Sequence, residues 1–329
     1  MRSTRGLAAV ISVAIATLSA GCAGSTSEAG PGQEAARPAA APSTATSPLP
    51  EGITALGSPA PIATQGWTLQ VDPFQETSAG ASAEGVPAGW TVLRTKARFT
   101  NSSGRVARLP DTALTVRFGP IGRQAVLVKD AVLTGLPARE AAVKETPGST
   151  FTAEVGVAVP PQGLGQRVTV TAEATEEGMA EADNLFFEGT LPGTTAGASD
   201  SPVPTEAGPA TEGVLPLDTW SQTGVRLSAI TLGPAKDGVR SASADLTVVN
   251  GASQPRTGLG VTLRVLTGTD LRTTAALTAG LDYPDAPIAP SRPATVNVHF
   301  TLPSSAVPGP ISVEAVDQGT TFTFSGTVS

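Results

Sequence analysis

The feature that most constrains this chain is strict apolar–polar alternation in short runs bounded by glycine, proline, asparagine and serine. Phe151 to Val159 reads F-T-A-E-V-G-V-A-V. Trp90 to Thr100 places Leu93, Thr95, Ala97 and Phe99 on one face and Arg94, Lys96 and Arg98 on the other. A period of two between turn-forming clusters is the signature of a half-buried strand. It recurs at Trp67–Val71, Ala113–Phe118, Arg167–Thr171 and Leu185–Thr190, then at Val225–Leu232, Ser241–Val249, Val261–Leu266, Leu271–Leu281, Ala294–Leu302, Ile311–Val316 and Thr320–Val328. The Ala/Thr-rich stretch 271–281 also admits a partly helical reading, and residues 131–145 a helical turn. About seven short strands per 115–130 residues predicts an all-β chain built as two immunoglobulin-like antiparallel β-sandwiches in tandem.

Composition separates the sandwiches from what joins them. Between Ala23 and Pro61, 31 of 39 residues are Ala, Gly, Pro, Ser or Thr, and no aromatic appears. Such a segment has too little apolar surface to offset the entropy of ordering it. Residues 22–61 therefore read as a disordered tether. Gly193 to Glu212 repeats that composition and reads as a flexible linker. The expected organisation is a sandwich over 62–192, the linker 193–212 and a second sandwich over 213–329. All 13 aromatics fall inside those two units.

The first 22 residues address the chain. Arg2 and Arg5 precede a 12-residue apolar run from Leu7 to Leu18, the layout of a secretory signal and too short to span a bilayer. The run ends in Leu18-Ser19-Ala20-Gly21-Cys22, which resembles a bacterial lipobox. The resemblance implies that residues 1–21 are a lipoprotein signal peptide, cleaved after Gly21. It also implies that Cys22 is diacylated and anchors the chain. Cys22 is the only cysteine, so no disulfide framework or cysteine zinc cluster is available within the chain. Two acyl chains suffice for stable anchoring. Loss of Arg2 and Arg5 takes the net charge from −7 to −9. An acidic chain with four isolated lysines (Lys96, Lys129, Lys144, Lys236) is not a nucleic-acid binder. The expected localisation is the extracytoplasmic face of the cell membrane. The expected partners are the membrane, through diacylglyceryl on Cys22, and other cell-envelope proteins.

The two units share landmarks in the same order. Phe99-Thr-Asn101-Ser-Ser corresponds to Val248-Val-Asn250-Gly-Ala-Ser, Pro147-Gly-Ser-Thr to Pro290-Ser-Arg-Pro, and Phe187-Glu-Gly-Thr190 to Phe324-Ser-Gly-Thr327. This pattern predicts a tandem repeat. It also resembles bacterial lipoprotein domains of the DUF4352 type, which are related to the MPT63-like secreted antigens. That resemblance implies an exported immunoglobulin-like sandwich without known catalytic residues.

Few residues carry chemistry. His299 is the only histidine and alternation puts it with Thr295 and Asn297 on the more polar face. No strand-to-helix serine elbow or paired-histidine metal motif occurs. The densest acidic cluster, Glu173, Glu176, Glu177, Glu181 and Asp183, offers hard oxygen ligands of the kind that hold Ca²⁺. Asp282-Tyr-Pro-Asp285 is a second acidic turn. Trp67, Trp90 and Trp220 read as packing residues. The expected function is that of a non-catalytic interaction or structural module needing no cofactor. The alternative is a binding protein for Ca²⁺ or a small apolar ligand.

Overall fold

A computed structural model describes residues 48–138, 141–176, 182–194, 214–279 and 286–329. Cys22, Gly21, Glu177, Glu181, Asp282, Tyr283 and Asp285 lie outside the described residues, as do residues 22–47 of the tether and 195–213 of the linker region. Pro48–Ser329 forms one compact, all-β unit. It holds two hydrophobic cores, one for each half of the sequence.

In the first half, Pro59–Ile62, Trp67–Val71, Thr91–Asn101, Thr150–Val159 and Val126–Val128 are neighbours in one sheet. Ile53–Ala55, Ala182–Thr190, Arg167–Thr175, Asp111–Phe118 and Arg123–Gln124 follow one another in a second. The alternation aims each sheet's apolar face at the other, and Trp67, Leu69, Leu93, Phe99, Val157, Val168, Val170 and Phe187 are buried together. In the second half, Val214–Pro216, Thr320–Val328, Gly309–Asp317 and Val261–Thr267 lie side by side. Thr273–Ala279 pairs with both Val261–Thr267 and Pro293–Pro303, and its register shifts between Leu277 and Ala279. That irregularity carries the sheet around the core to Val239–Val249. Phe300, Phe322 and Phe324 fill this second core.

The structure differs from the sequence reading in three places. The tether was expected to run to Pro61, yet Ile53–Ala55 and Pro59–Ile62 are strands. The reason is burial: Ile53, Ala60 and Ile62 are taken into the interior, so three well-placed side chains order a segment of otherwise unfavourable composition. The sheets are not wholly antiparallel. Ile53–Ala55 runs parallel to Ala182–Thr190, Val214–Pro216 parallel to Thr320–Val328, and Arg123 forms a parallel bridge to Thr295. Val225–Leu232 is two strands, Val225–Leu227 and Thr231–Lys236. Between them Ser228 exchanges hydrogen bonds with Asp245, its backbone N–H to the Asp245 carbonyl and its Oγ accepting the Asp245 N–H. Within residues 131–145 the described Ala141 is helical, of the 3-10 kind, and its N–H bonds the Ala138 carbonyl at 2.9 Å, in keeping with the helical turn read there. At the start of this stretch the Asp130 carboxylate accepts the backbone N–H groups of Val132 and Leu133 at 2.7 and 2.6 Å.

The shared landmarks perform the same tasks in both halves. Asn101 donates through Nδ2 to the carbonyls of Arg105 and Glu145, and its Oδ1 accepts the Ser103 N–H. Asn250 donates to Gln254, Ile288 and Ala289, and accepts the Ala252 N–H. Each asparagine thus ties together backbone groups of two loops. Gly189 and Gly326 are a second matched pair. A Cβ on Gly189 would stand 2.7 Å from Leu56 Cδ1, and one on Gly326 would stand 2.6 Å from Leu217 Cδ1. A leucine sits in a glycine notch where each half's first strand joins its last.

Candidate functional site

Two places concentrate polar chemistry: the joint between the cores and an open cavity at the loop end of the first half.

The joint is built on the outward face of the Asp111–Phe118, Arg167–Thr175 and Ala182–Thr190 strands. Alternation places Arg117, Thr169, Thr171 and Glu188 on this face, opposite the core residues Val116, Val168 and Val170. Residues 286–292 of the second half cover it. Arg117, 4 % exposed, donates to the carbonyls of Pro287 and Ala286 at 3.1 and 3.0 Å. Burial without a carboxylate partner lowers the pKa of this guanidinium to about 10. Glu188 receives a two-pronged ion pair from Arg292, at 2.5 Å from Nε and 2.8 Å from Nη2. Burial, with Arg292 close by, also lowers the pKa of Arg167, an effect that Glu188 opposes. Beside this cluster, Thr295 donates through Oγ1 to the Ile121 carbonyl at 2.6 Å. Leu49, Ile53, Phe186 and Ala289 close the joint with an apolar patch.

The cavity has a volume of about 390 Å³ and is open to solvent. It sits where the 63–66 turn, the 102–110 connection, Pro137, Ala138, Ala142, Val143 and the end of the Arg167–Thr175 strand meet. One wall is apolar, with Val106 60 % exposed, Leu109 and Val143. The rim carries both signs of charge, including Arg105 and Glu176. Neither of these two has an ion-pair partner among the described residues. Gln65 borders the cavity, but its Nε2 is buried away from solvent, with no hydrogen-bond partner among the described residues.

Among the described members of the acidic cluster, Glu173, Glu176 and Asp183 are not gathered into a ligand set. Asp183 is committed to the neighbouring turn, accepting Thr64 N–H at 3.1 Å and Thr64 Oγ1–H at 2.5 Å. Glu173 lies on a strand between Ala113 and Asn184, while Glu176 faces the cavity. Among the described residues no three His, Cys, Asp or Glu side chains are placed to hold a metal ion. His299 is exposed, across the ladder from Ser243. Trp67 is a core residue, Trp90 packs beside Val92, Val128 and Leu133, and Trp220 lies under the Arg226 guanidinium at 5.7 Å. Gln65, Arg105 and Val106 carry no motif, and only the convergence of loops distant in sequence brings them together.

No family model matches the chain, and no curated protein matches it. Among solved structures the chain is similar to a protein of unknown function from Porphyromonas gingivalis W83. The two share 11 % identity over 79 % of this chain and 99 % of that one, with a TM-score of 0.16.

Proposed function

We propose that this chain is an exported, lipid-anchored and non-catalytic interaction module that presents a rigid β-unit at the extracytoplasmic face of the cell membrane. The observation that carries the reading is the string Leu18-Ser19-Ala20-Gly21-Cys22, in which the chain's only cysteine stands where a lipobox cysteine is acylated. The position of the folded unit supports it. The first strand starts at Ile53, far enough along the sequence from Cys22 for the intervening Ala, Pro, Ser and Thr residues to act as a spacer. Other cell-envelope proteins are the partners in this reading.

Metabolic labelling with an alkyne fatty acid tests it. The full chain is expected to take up label and to fractionate with membranes, and Cys22→Ala is expected to do neither. Equal labelling and fractionation of the two chains would overturn the anchor. The second reading, a binding protein, draws support from the cavity, which favours a small molecule with polar and apolar parts over Ca²⁺.

A further inference from the structure

The first strand of the folded unit touches both halves. Ile53, Thr54 and Ala55 lie parallel to Phe186, Phe187 and Glu188, on the strand whose carboxylate receives Arg292. Leu49 and Ile53 pack with Phe186 of the first half and Ala289 of the second. The counterpart strand shows what this seam adds. Val214–Pro216 makes the same parallel pairing with Thr323, Phe324 and Ser325, yet Val214 is 65 % exposed where Ile53 is 8 %. Ala289, brought in by the docking of residues 286–292, accounts for the difference.

The polar contacts of the joint fix how the halves dock, and the apolar patch tips the balance toward docking. Arg117 is buried on backbone carbonyls, and Glu188 serves Arg292. Taking such charges out of water costs about what their pairing returns. Burying Leu49, Ile53, Phe186 and Ala289 carries no comparable penalty. Yet the stretch that brings in Leu49 and Ile53 is lightly held. Its strand has three residues and lies at a sheet edge, between Gly52 and Gly57 at φ +81° and +87°. Elements with so few contacts open at the low end of a protein's stability range. Covalent order also puts this stretch in the path of any load: a pull on Cys22 passes through residues 48–56 before it reaches either core. We infer that residues 49–56 form a strap, and that its release under tension on the anchored tether frees the second half from the first. This inference rests on the lipid-anchor reading, which supplies the load. The anchored module then has two states, one with the Arg117, Thr169 and Glu188 face covered by residues 286–292 and one with that face bare.

The test is single-molecule pulling on the full, unacylated chain, with one handle on Cys22 and the other after Ser329, joined to amide exchange of the same chain at rest. The expected first event is an extension of about 30 Å, the length of roughly ten released residues, before either core unfolds. Leu49→Asp and Ile53→Thr are each expected to move that event to lower force. Each is also expected to raise the exchange rate at Ile288 at least tenfold, about 1.4 kcal/mol. Val214→Asp, in the counterpart strand, is expected to do neither. Unchanged exchange in the central strands of both cores establishes that the variants fold. A first event that unfolds a whole core, unchanged exchange at Ile288 in both strap variants, or an equal effect from Val214→Asp would overturn the inference. Alkyne labelling of Cys22 separates it from the reading it rests on. A labelled chain whose strap variants are inert overturns the strap alone, and an unlabelled chain overturns the anchor whatever the strap does.

Discussion

Removing the Glu188 carboxylate is the sharpest perturbation of the joint. Glu188 is 8 % exposed and the Arg292 side chain 13 % exposed, so the pair is shielded from solvent screening. Arg117 and Arg167 stand on the same sheet face, both with pKa lowered by burial. Glu188→Gln therefore leaves the Arg292 guanidinium without its carboxylate, and Arg167 without the charge that offsets its burial, in a poorly solvated place. Breaking one side of a buried pair typically costs about 3–5 kcal/mol, and part of that is the charge left behind. Arg292→Met is expected to cost less, because it removes a cation from an over-positive cluster. The double variant is expected to recover about 2 kcal/mol relative to the sum of the singles, within the range measured for coupled neighbours. Urea unfolding of the full chain reads these differences. With a slope of about 3 kcal/mol/M for a unit of this size, Glu188→Gln moves the midpoint down by roughly 1 M. It is also expected to separate the transitions of the two halves. Additive single effects, with coupling below about 0.5 kcal/mol, would refute the claim that this pair closes the joint.

Three further outcomes follow from the geometry. Gly122 has φ +67° and a Cβ there would stand 2.1 Å from the Pro293 carbonyl oxygen, so Gly122→Ala is expected to cost more than about 3 kcal/mol, measured as a drop in Tm, and a neutral result would contradict the close approach of the halves. Asn250→Ala removes three donated hydrogen bonds to loop carbonyls and is expected to destabilise by about 2–4 kcal/mol, with amide exchange accelerating first in residues 286–292; loss confined to some other region would count against the clamp. Asp130 has its pKa held below the ordinary carboxylate value by the N–H groups of Leu133, Val132 and Gly80, so its contribution is complete above the unfolded value and disappears as pH falls through the depressed one; Asp130→Asn is expected to flatten stability below pH of about 4 and to speed amide exchange at Val132 and Leu133, and an unchanged acid limb would refute the assignment.

Alternation made most of the strands legible. Thr320–Val328 was read with its observed bounds, and Leu93, Thr95, Ala97 and Phe99 are all buried as their spacing requires. Period-two patterning reports which face meets the core, and that is a local property. Ile53 and Ala60 were missed because a few apolar side chains in a Pro/Ala-rich stretch give no periodic signal. The interruption after Leu227 was missed because Ser228 turns on a hydrogen bond to Asp245, a partner outside its own window. The acidic residues after Glu173 looked like a cation site by density alone, yet the Asp183 carboxylate is used to hold the 63–66 turn.

The outward face of the first half's sheet was not legible at all. Arg117, Thr169 and Glu188 alternate with core residues, the pattern that solvent-facing residues also give. Tertiary structure buries them under residues 286–292. The Pro287-Ile288-Ala289 of that segment looks like an ordinary turn until its docking is seen. By itself the sequence determined the all-β class, the strand faces and the two sets of core residues, because each depends on neighbours within a few positions. Only the tertiary structure decided that the two cores are locked by buried arginines, and that loops distant in sequence meet around a cavity in the first half. Those outcomes depend on side chains more than a hundred residues apart meeting across a surface, and no local pattern encodes that distance.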